Sequence, residues 1–387
     1  MNEENKDSGN LNSSLEGPEA ETGFRPRVII AGGGTGGHIF PAIAIANAVV
    51  AAVPATEILF VGAKGKMEME KVPLAGYRIE GLDIAGFNRS SLIKNVSLPF
   101  KLVKSFFQVR SIMKNFKPNA AIGVGGYSSY PVLRYAQAKR IPTFIHESNS
   151  FAGKSNMMLG KKATRIFTGT DGMENFFPAD KIMITGNPVR SVISGSTITR
   201  AEGIKFFSLD EAKKTVLVVG GSLGAKSINE AIDKGLDDLL NEGLQIIWQT
   251  GKPYAAIAKQ RANGKASVWT NEFITQMEYA YAAADMVVAR AGAMTVAELC
   301  VAKKPVLFVP YPFAAEDHQT VNAMQLVNRN AGLIVKDNEA KDEIVPMVIA
   351  LVKDESKQNE LKKNIAAFAI TDADERIARE ILRSIKN

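Results

Sequence analysis

The chain has 387 residues, 46% of them hydrophobic and 22% charged, which is the balance of an ordinary globular protein with room for two domains. It has no apolar run near the roughly 18–20 residues that cross a bilayer, and its single cysteine, Cys300, excludes an internal disulfide framework and fits a reducing cytosol. The formal net charge of +7 is unevenly placed: no acidic residue lies between Asp83 and Glu147, while Arg89, Lys94, Lys101, Lys104, Arg110, Lys114, Lys117, Arg134, Lys139 and Arg140 do. Charge of one sign on that scale points to an anionic partner, whether nucleic acid, phosphorylated substrate or anionic lipid.

The first segment, "MNEENKDSGNLNSSLEGPEAETGF", is acidic and polar, with neither a basic start nor an apolar centre. It reads as a disordered tail over residues 1–25 rather than a signal peptide. From Arg27 short β-rich runs alternate with helical patterns: "RVIIA", "EILFV", "YRIEGL", "AAIGV", "TFIH", "RIFTG" and "KIMIT". After a looser segment, Ser191 to Lys214, the alternation restarts with "TVLVVGG", "LQIIWQT", "ASVWTNEFI", "MVVARAG", "PVLFVPYP" and "GLIVKD". This alternation predicts two Rossmann-like α/β domains with parallel sheets, residues 26–190 and 191–371, and an amphipathic C-terminal helix over 372–387 that packs back on the first domain.

Ligands of open parallel sheets sit beyond the carboxyl ends of the strands, where loops lead into helices. The first such loop, "AGGGTGGHIF", spells G-x-G-x-x-G on Gly32, Gly34 and Gly37. A dinucleotide site needs an acidic residue ending the second strand, but that strand ends "LFVGAKG" with Lys64, and Glu57 opens it at the wrong end. A P-loop needs Lys-Ser or Lys-Thr after its glycines, and neither follows. Glycine loops or chemically versatile residues recur at equivalent places in "GVGGYSSYP", "IHESNSFAG", "TGNPVR", "GGSLGAKSIN", "ARAGAMTVAEL" and "PFAAEDHQTVNA". All three histidines, His38, His146 and His318, fall in these junctions. With no H-x-x-x-H, H-E-x-x-H or cysteine pair, no metal site is expected.

These stretches, in this order and at this spacing from about Arg27 to the C-terminus, resemble the MurG family of undecaprenyl-diphospho-muramoylpentapeptide β-N-acetylglucosaminyltransferases. The resemblance implies a GT-B fold, with the two sheets facing across a cleft, and an inverting transfer of GlcNAc from UDP-GlcNAc to the 4-hydroxyl of lipid I. It places the donor mainly in the second domain. Ile274 would meet the uracil through its backbone and Glu298 the ribose. Ser222, Arg190 and the helix start Ala293, Met294 and Thr295 would contact the donor diphosphate, and Val296 and Ala297 would also belong to the donor site. Gln319 would meet the GlcNAc hydroxyls, and Asn149 with Thr35, Gly36 and Gly37 would close on the sugar. The loop Gly125, Gly126, Tyr127 and Ser128 would cradle the acceptor diphosphate. His318 stands where many relatives carry glutamine, and Ala291 where serine is common.

Inversion calls for a base near the acceptor hydroxyl, and His38, with Glu147 behind it, is the candidate. No cofactor is expected; Arg190, Ser222 and helix N-termini would stabilise the leaving diphosphate, and whether a divalent ion assists is open. A lipid substrate calls for a membrane-facing surface. On a helix starting near Pro99, Leu102, Phe106, Val109, Met113 and Phe116 form a stripe read as core, while Phe100, Val103 and Phe107 share another face with Lys101 and Lys104. With Leu92, Ile93 and Val96 just before, this reads as a patch for an anionic leaflet, placing the protein peripherally on the cytoplasmic face of the cell membrane. The rival of another class is a UDP-GlcNAc 2-epimerase-like isomerase, which would need neither basic zone nor patch. Nucleic-acid binding would explain the charge but not glycine loops in both halves.

Overall fold

The computed structural model describes residues 25–86 and 98–386. The first domain is a seven-stranded parallel sheet of β1 (Arg27–Ala31), β2 (Glu57–Ala63), β3 (Arg78–Leu82), β4 (Ala120–Gly123), β5 (Thr143–Glu147), β6 (Arg165–Thr168) and β7 (Ile182–Ile184), in the order β3-β2-β1-β4-β5-β6-β7. The second has six: β8 (Thr215–Val219), β9 (Gln245–Gln249), β10 (Val268–Asn271), β11 (Met286–Ala289), β12 (Val306–Phe308) and β13 (Leu333–Ile334), ordered β10-β9-β8-β11-β12-β13. The fold is GT-B: two doubly wound Rossmann-like domains. Strand order reverses between β1 and β4 and again between β8 and β11, so each domain has its ligand crevice at the loops following those strands.

Burial on both faces explains why the central strands read as continuous apolar runs. In β1, Val28 and Ile30 join the core on one face and Ile29 and Ala31 the core on the other, the period of two a strand imposes. The helix Ala373–Lys386 lies against the helix Gly36–Ala52: Ile377, Ala378, Ile381 and Leu382 are buried with Ile39, Ala42, Ile45 and Val49. Each of the isoleucine, leucine and valine side chains contributes about 1.5–3 kcal/mol. The chain therefore crosses between domains twice, once after β7 and once before this helix.

The helix Leu98–Phe116 departs from the expected stripe. Ser105, Val109 and Met113 are its buried positions, and Phe106 and Phe116 are half-buried. Leu102, expected in the core, is 37% exposed. Ser105 tolerates burial because its hydroxyl donates to the Leu102 carbonyl at 2.6 Å.

Candidate active site

Between the domains a cavity of 980 Å³ is lined by Gly33, Gly34, Thr35, His38, Glu68, Gly125, Gly126, Tyr127, Ser128, Glu147, Asn149 and His318, among others. The structure thus gathers both candidate catalytic residues, the acceptor loop, and Asn149 and Thr35 of the sugar side.

The two glycine loops of the first domain are built against each other. Gly33 N–H donates to the Gly125 carbonyl at 3.3 Å. A Cβ on Gly126, at φ +87°, would lie 2.6 Å from the Gly33 carbonyl oxygen. Close backbone packing is therefore one reason for glycine here, beside any approach of phosphate. Glu68, which the sequence reading missed, props the first loop: its buried carboxylate accepts from Gly34 N–H at 2.8 Å and Ala63 N–H at 2.9 Å.

Thr35 takes the N-cap position of the helix Gly36–Ala52 without capping it through its side chain, and the first turn holds no acidic residue. Gly36 and Gly37 thus begin the helix at its positive end, a favourable place for an anion. His38 follows, half-buried, with Nδ1 3.0 Å from the Gly33 carbonyl. A carbonyl only accepts, so Nδ1 carries the proton in the neutral ring and Nε2 keeps its lone pair. Nε2 sits over Gly125, 2.8 Å from where a Cβ there would be, so a side chain at 125 would cover it.

Glu147 is placed for a different task from the one expected. Its Oε1 accepts from Asn149 N–H at 3.2 Å and Asn149 Nδ2 at 3.4 Å; its Oε2 accepts from Gly153 N–H at 3.0 Å and Asn156 Nδ2 at 2.9 Å. A buried carboxylate holding four donors orders the loop carrying Asn149 and has no lone pair to spare for a proton relay. His146 is wholly buried within β5, and burial holds its pKa down to about 4 against a backbone hydrogen bond at Gly186. It is a core residue, unlike the other two histidines.

The donor-side residues are only partly brought together. Arg190 and Glu298, expected on diphosphate and ribose, bind each other here at 3.0 Å. Glu298 also accepts from the Tyr281 hydroxyl at 3.0 Å, and Arg190 lies over the Phe40 ring, 5.5 Å from its centre. Burial raises the Glu298 pKa, opposed by Arg190 and the Tyr281 hydroxyl. Arg190 occupies Oε1 through two nitrogens and Tyr281 meets Oε2, so Oε2 keeps a lone pair for a ribose hydroxyl. Along the helix Ala293–Ala302, Ala293, Val296 and Ala297 face a second interdomain cavity that does not include Glu298, so this helix is split between two surfaces. Met294 and Thr295 are half-buried in its first turn, which has neither a side-chain cap nor an acid.

Ser222 is exposed on a turn four residues before the helix Lys226–Lys234, rather than at its start. Ile274 N–H donates to Gln249 Oε1 at 2.9 Å, so its carbonyl is the backbone group left to offer a base. Gln319 Oε1 accepts from Tyr311 N–H at 3.0 Å, which leaves its amide nitrogen to face a sugar. A further missed residue is Asn322, whose Oδ1 accepts from Ser150 N–H at 3.2 Å and Ser150 Oγ at 2.9 Å, joining the domains beside Asn149.

Of the apolar patch, Leu92, Ile93 and Val96 lie outside the described residues. Phe100, Val103 and Phe107 are strongly exposed, as is Lys101. Lys104 is drawn to Asp83 at 2.8 Å, with Lys64 at 3.1 Å on its other oxygen, and these ammonium groups hold the Asp83 carboxyl down to about 2.

Comparison with known proteins decides the family. The description "Glycosyltransferase family 28 N-terminal domain" matches residues 28–168, and "Glycosyltransferase family 28 C-terminal domain" matches 215–377. A protein of Phocaeicola vulgatus named UDP-N-acetylglucosamine–N-acetylmuramyl-(pentapeptide) pyrophosphoryl-undecaprenol N-acetylglucosamine transferase is 52% identical over 92% of this chain and 96% of its own. The chain belongs to the MurG family within glycosyltransferase family 28. The crystal structure of Acinetobacter baumannii MurG superposes with a TM-score of 0.74 at 28% identity, covering 93% of this chain and 99% of that one. A Neisseria meningitidis UDP-GlcNAc 2-epimerase reaches 0.64 at 12% identity, covering 92% and 100%, a likeness of fold alone.

Among the described residues, no helix is long and apolar enough to cross a membrane, and no three His, Cys, Asp or Glu side chains converge as a metal site would need.

Proposed function

We infer that this chain is an N-acetylglucosaminyltransferase of peptidoglycan synthesis, moving GlcNAc from UDP-GlcNAc to the 4-hydroxyl of lipid I to give lipid II and UDP. The observation that carries this is the 52% identity over nearly the whole chain to a protein of that name. The epimerase alternative is not favoured, since only the fold is shared with it.

The site supports the following mechanism. The acceptor 4-hydroxyl approaches the anomeric carbon from the face opposite UDP. Its oxygen bonds to that carbon, the bond from the carbon to the diphosphate oxygen breaks with its electron pair, and configuration inverts. The hydroxyl proton passes to His38 Nε2, whose lone pair the Gly33 contact preserves. Glu147 supports the step by ordering Asn149. Negative charge growing on UDP is met by Arg190, once it leaves Glu298, by Ser222, and by the uncapped helix start at Ala293–Thr295. Gly125–Ser128 and the helix start behind it would receive the acceptor diphosphate. This reading assigns no cofactor, and turnover with and without a chelator tests whether a divalent ion assists.

The exposed Phe100, Val103, Phe107 and Lys101 support docking on an anionic leaflet, peripherally at the cytoplasmic face. Replacing Phe100 and Phe107 by serine should lower binding to anionic vesicles by tenfold or more, with turnover of a short-chain soluble acceptor retained. Equal vesicle binding by this variant would refute the docking surface.

The transfer itself is tested by UDP release from UDP-GlcNAc with and without a short-chain lipid I analogue, and by product mass. Acceptor-dependent release with a product heavier by one HexNAc is expected. Accumulation of UDP-ManNAc without acceptor would instead establish the epimerase.

A further inference from the structure

Asn322 lies on the helix His318–Val327, three residues after Gln319, so the two share a face of that helix. It is 4% exposed and bonded to both domains. Its Oδ1 accepts from Ser150 N–H at 3.2 Å and Ser150 Oγ at 2.9 Å in the first domain, and its Nδ2 donates to the Ala291 carbonyl at 3.1 Å in the second. Both acceptor positions of Oδ1 are thereby used. Of the side chains of similar size, aspartate could serve Ser150 alone and leucine neither partner.

Each side of this tie is already rigid. Ser150 belongs to a loop that Glu147 holds through Asn149 N–H, Gly153 N–H and Asn156 Nδ2, and the Ser148 carbonyl accepts from Asn187 Nδ2 at 3.0 Å. Ala291 is fully buried and follows Arg290, whose N–H donates to the Val219 carbonyl at 3.3 Å. The Arg290 guanidinium reaches the Val309 and Pro310 carbonyls at 2.9 and 3.1 Å, and Asp337 as well. A bond between two mobile segments orders one of them; a bond between two fixed segments sets their separation.

Three pieces of the candidate site meet here. Ser150 follows Asn149, expected on the sugar side. Ala291 precedes the uncapped helix start Ala293–Thr295, expected at the donor diphosphate. Gln319, expected at the GlcNAc hydroxyls, shares the helix face of Asn322 and is itself fixed by Tyr311 N–H. A further contact from the same stretch joins Arg329 to Asp171 at 3.7 Å, but these side chains are 52% and 64% exposed, so it holds the domains only weakly.

We propose that Asn322 is a positioning residue for the transfer, a role that rests on the transferase reading. Acting through Ser150 and Ala291, it keeps the Asn149 loop of the first domain at a fixed distance from the donor loop of the second. It thereby sets how closely the acceptor hydroxyl approaches the anomeric carbon. A reaction whose partners are held by different domains is sensitive to that spacing: displacement by about 1 Å costs about a hundredfold in rate.

Asn322→Ala should lower kcat about a hundredfold, with the UDP dissociation constant and the acceptor KM changed by less than about threefold. A purely structural role would lower Tm while sparing kcat of the folded enzyme, or would raise both constants, and either pattern overturns the proposal. Ser150→Ala removes one of the two bonds on the first-domain side. It should lower kcat about fivefold in the unaltered background and no further in the Asn322→Ala background. Losses that simply multiply would show the two residues acting independently and would overturn the proposal. Should Asn322→Ala fold poorly, Ser150→Ala, the loss of one hydroxyl on a half-buried residue, decides alone, and an unchanged kcat overturns the proposal.

A third measurement needs no turnover. Spin labels at Lys162→Cys and Lys259→Cys, exposed positions in the first and second domains, report the interdomain distance in a Cys300→Ser background. Asn322→Ala should broaden the distance distribution, with and without UDP; equal widths overturn the proposal. An unaltered protein that transfers no GlcNAc, but whose distribution still broadens on this substitution, would count against the transferase reading rather than against the tie.

Discussion

The two domains carry the same device, a strand leading through glycines into a helix, in different states of preparation. In the first domain the loop after β1 is held from behind by Glu68 and from the side by the loop after β4, and His38 is fixed by Gly33. In the second, the loop after β8 is held through its backbone: Gln249 Nε2 donates to the Gly221 carbonyl at 3.0 Å, and a Cβ on Gly224 would strike the Thr250 carbonyl. Its side-chain positions are open: a Cβ on Gly221 would meet nothing, Ser222 is exposed, and Leu223 is 81% exposed. Preorganisation is thus greatest around His38, where the proposed mechanism moves a proton, while the side-chain positions of the Ser222 loop stay open on the side proposed for the donor. Such a division suits catalysis, because groups fixed before the reaction cost no reorganisation during it.

The largest expected effect tests where the chemistry sits. His38→Gln should lower kcat by about 10²–10⁴-fold, with UDP affinity unchanged. A loss of UDP affinity in its place would move His38 to the donor side and break the comparison. Next, Gly126→Ala should lower kcat/KM at least a hundredfold and depress Tm, because its Cβ meets the Gly33 carbonyl. Gly221→Ala has the same φ of +87° but open space, so it should cost only the about 1–2 kcal/mol of left-handed backbone. Equal losses from both would show that the second loop is as constrained as the first.

The domains should also part under acid. His146 titrates at about 4 when folded and 6.5 in its ordinary state. The folded form binds fewer protons between those values, so stability is complete above pH 6.5 and falls as pH drops toward 4, by about 3 kcal/mol. Both tryptophans, Trp248 and Trp269, lie in the second domain. Urea unfolding followed by circular dichroism should therefore separate from that followed by tryptophan fluorescence as pH falls through this window, and His146→Phe should bring them together again. The smallest effect is expected on the donor side: Glu298→Gln should raise KM for UDP-GlcNAc about tenfold, the worth of a hydrogen bond to a charged group, with kcat little changed.

All thirteen strands were legible, the central ones as apolar runs because a parallel sheet covered on both faces writes itself as hydrophobic sequence, and the edge strands β3 and β10 as mixed runs, since they are less buried. The glycine loops were legible too, although the reason for Gly126 was read as phosphate approach, and its contact with Gly33 shows a neighbouring loop as well. What sequence withheld was pairing at a distance. Glu68 with Gly34, Arg190 with Glu298 and Ser150 with Asn322 join residues 34, 108 and 172 apart. A single carboxylate or amide has no period, so nothing in "KMEMEK" distinguishes the buried Glu68 from the exposed Glu70. Glu147 was noticed for its company, and only geometry reveals that four donors already occupy it. Leu102 was misassigned because a helical stripe does not say where a helix overruns the domain it packs on.

The helix Ala373–Lys386 completes the apolar core around Ile39, Ala42, Ile45 and Val49, yet it is translated only after the whole second domain. The domain that emerges first from the ribosome is consequently the last to be sealed. Until then it displays an oily face on the helix Gly36–Ala52, the same helix whose first turn carries His38. Competence of the histidine's platform thus waits on synthesis of a distant segment, which makes a nascent chain carrying only the first domain a natural client for chaperones.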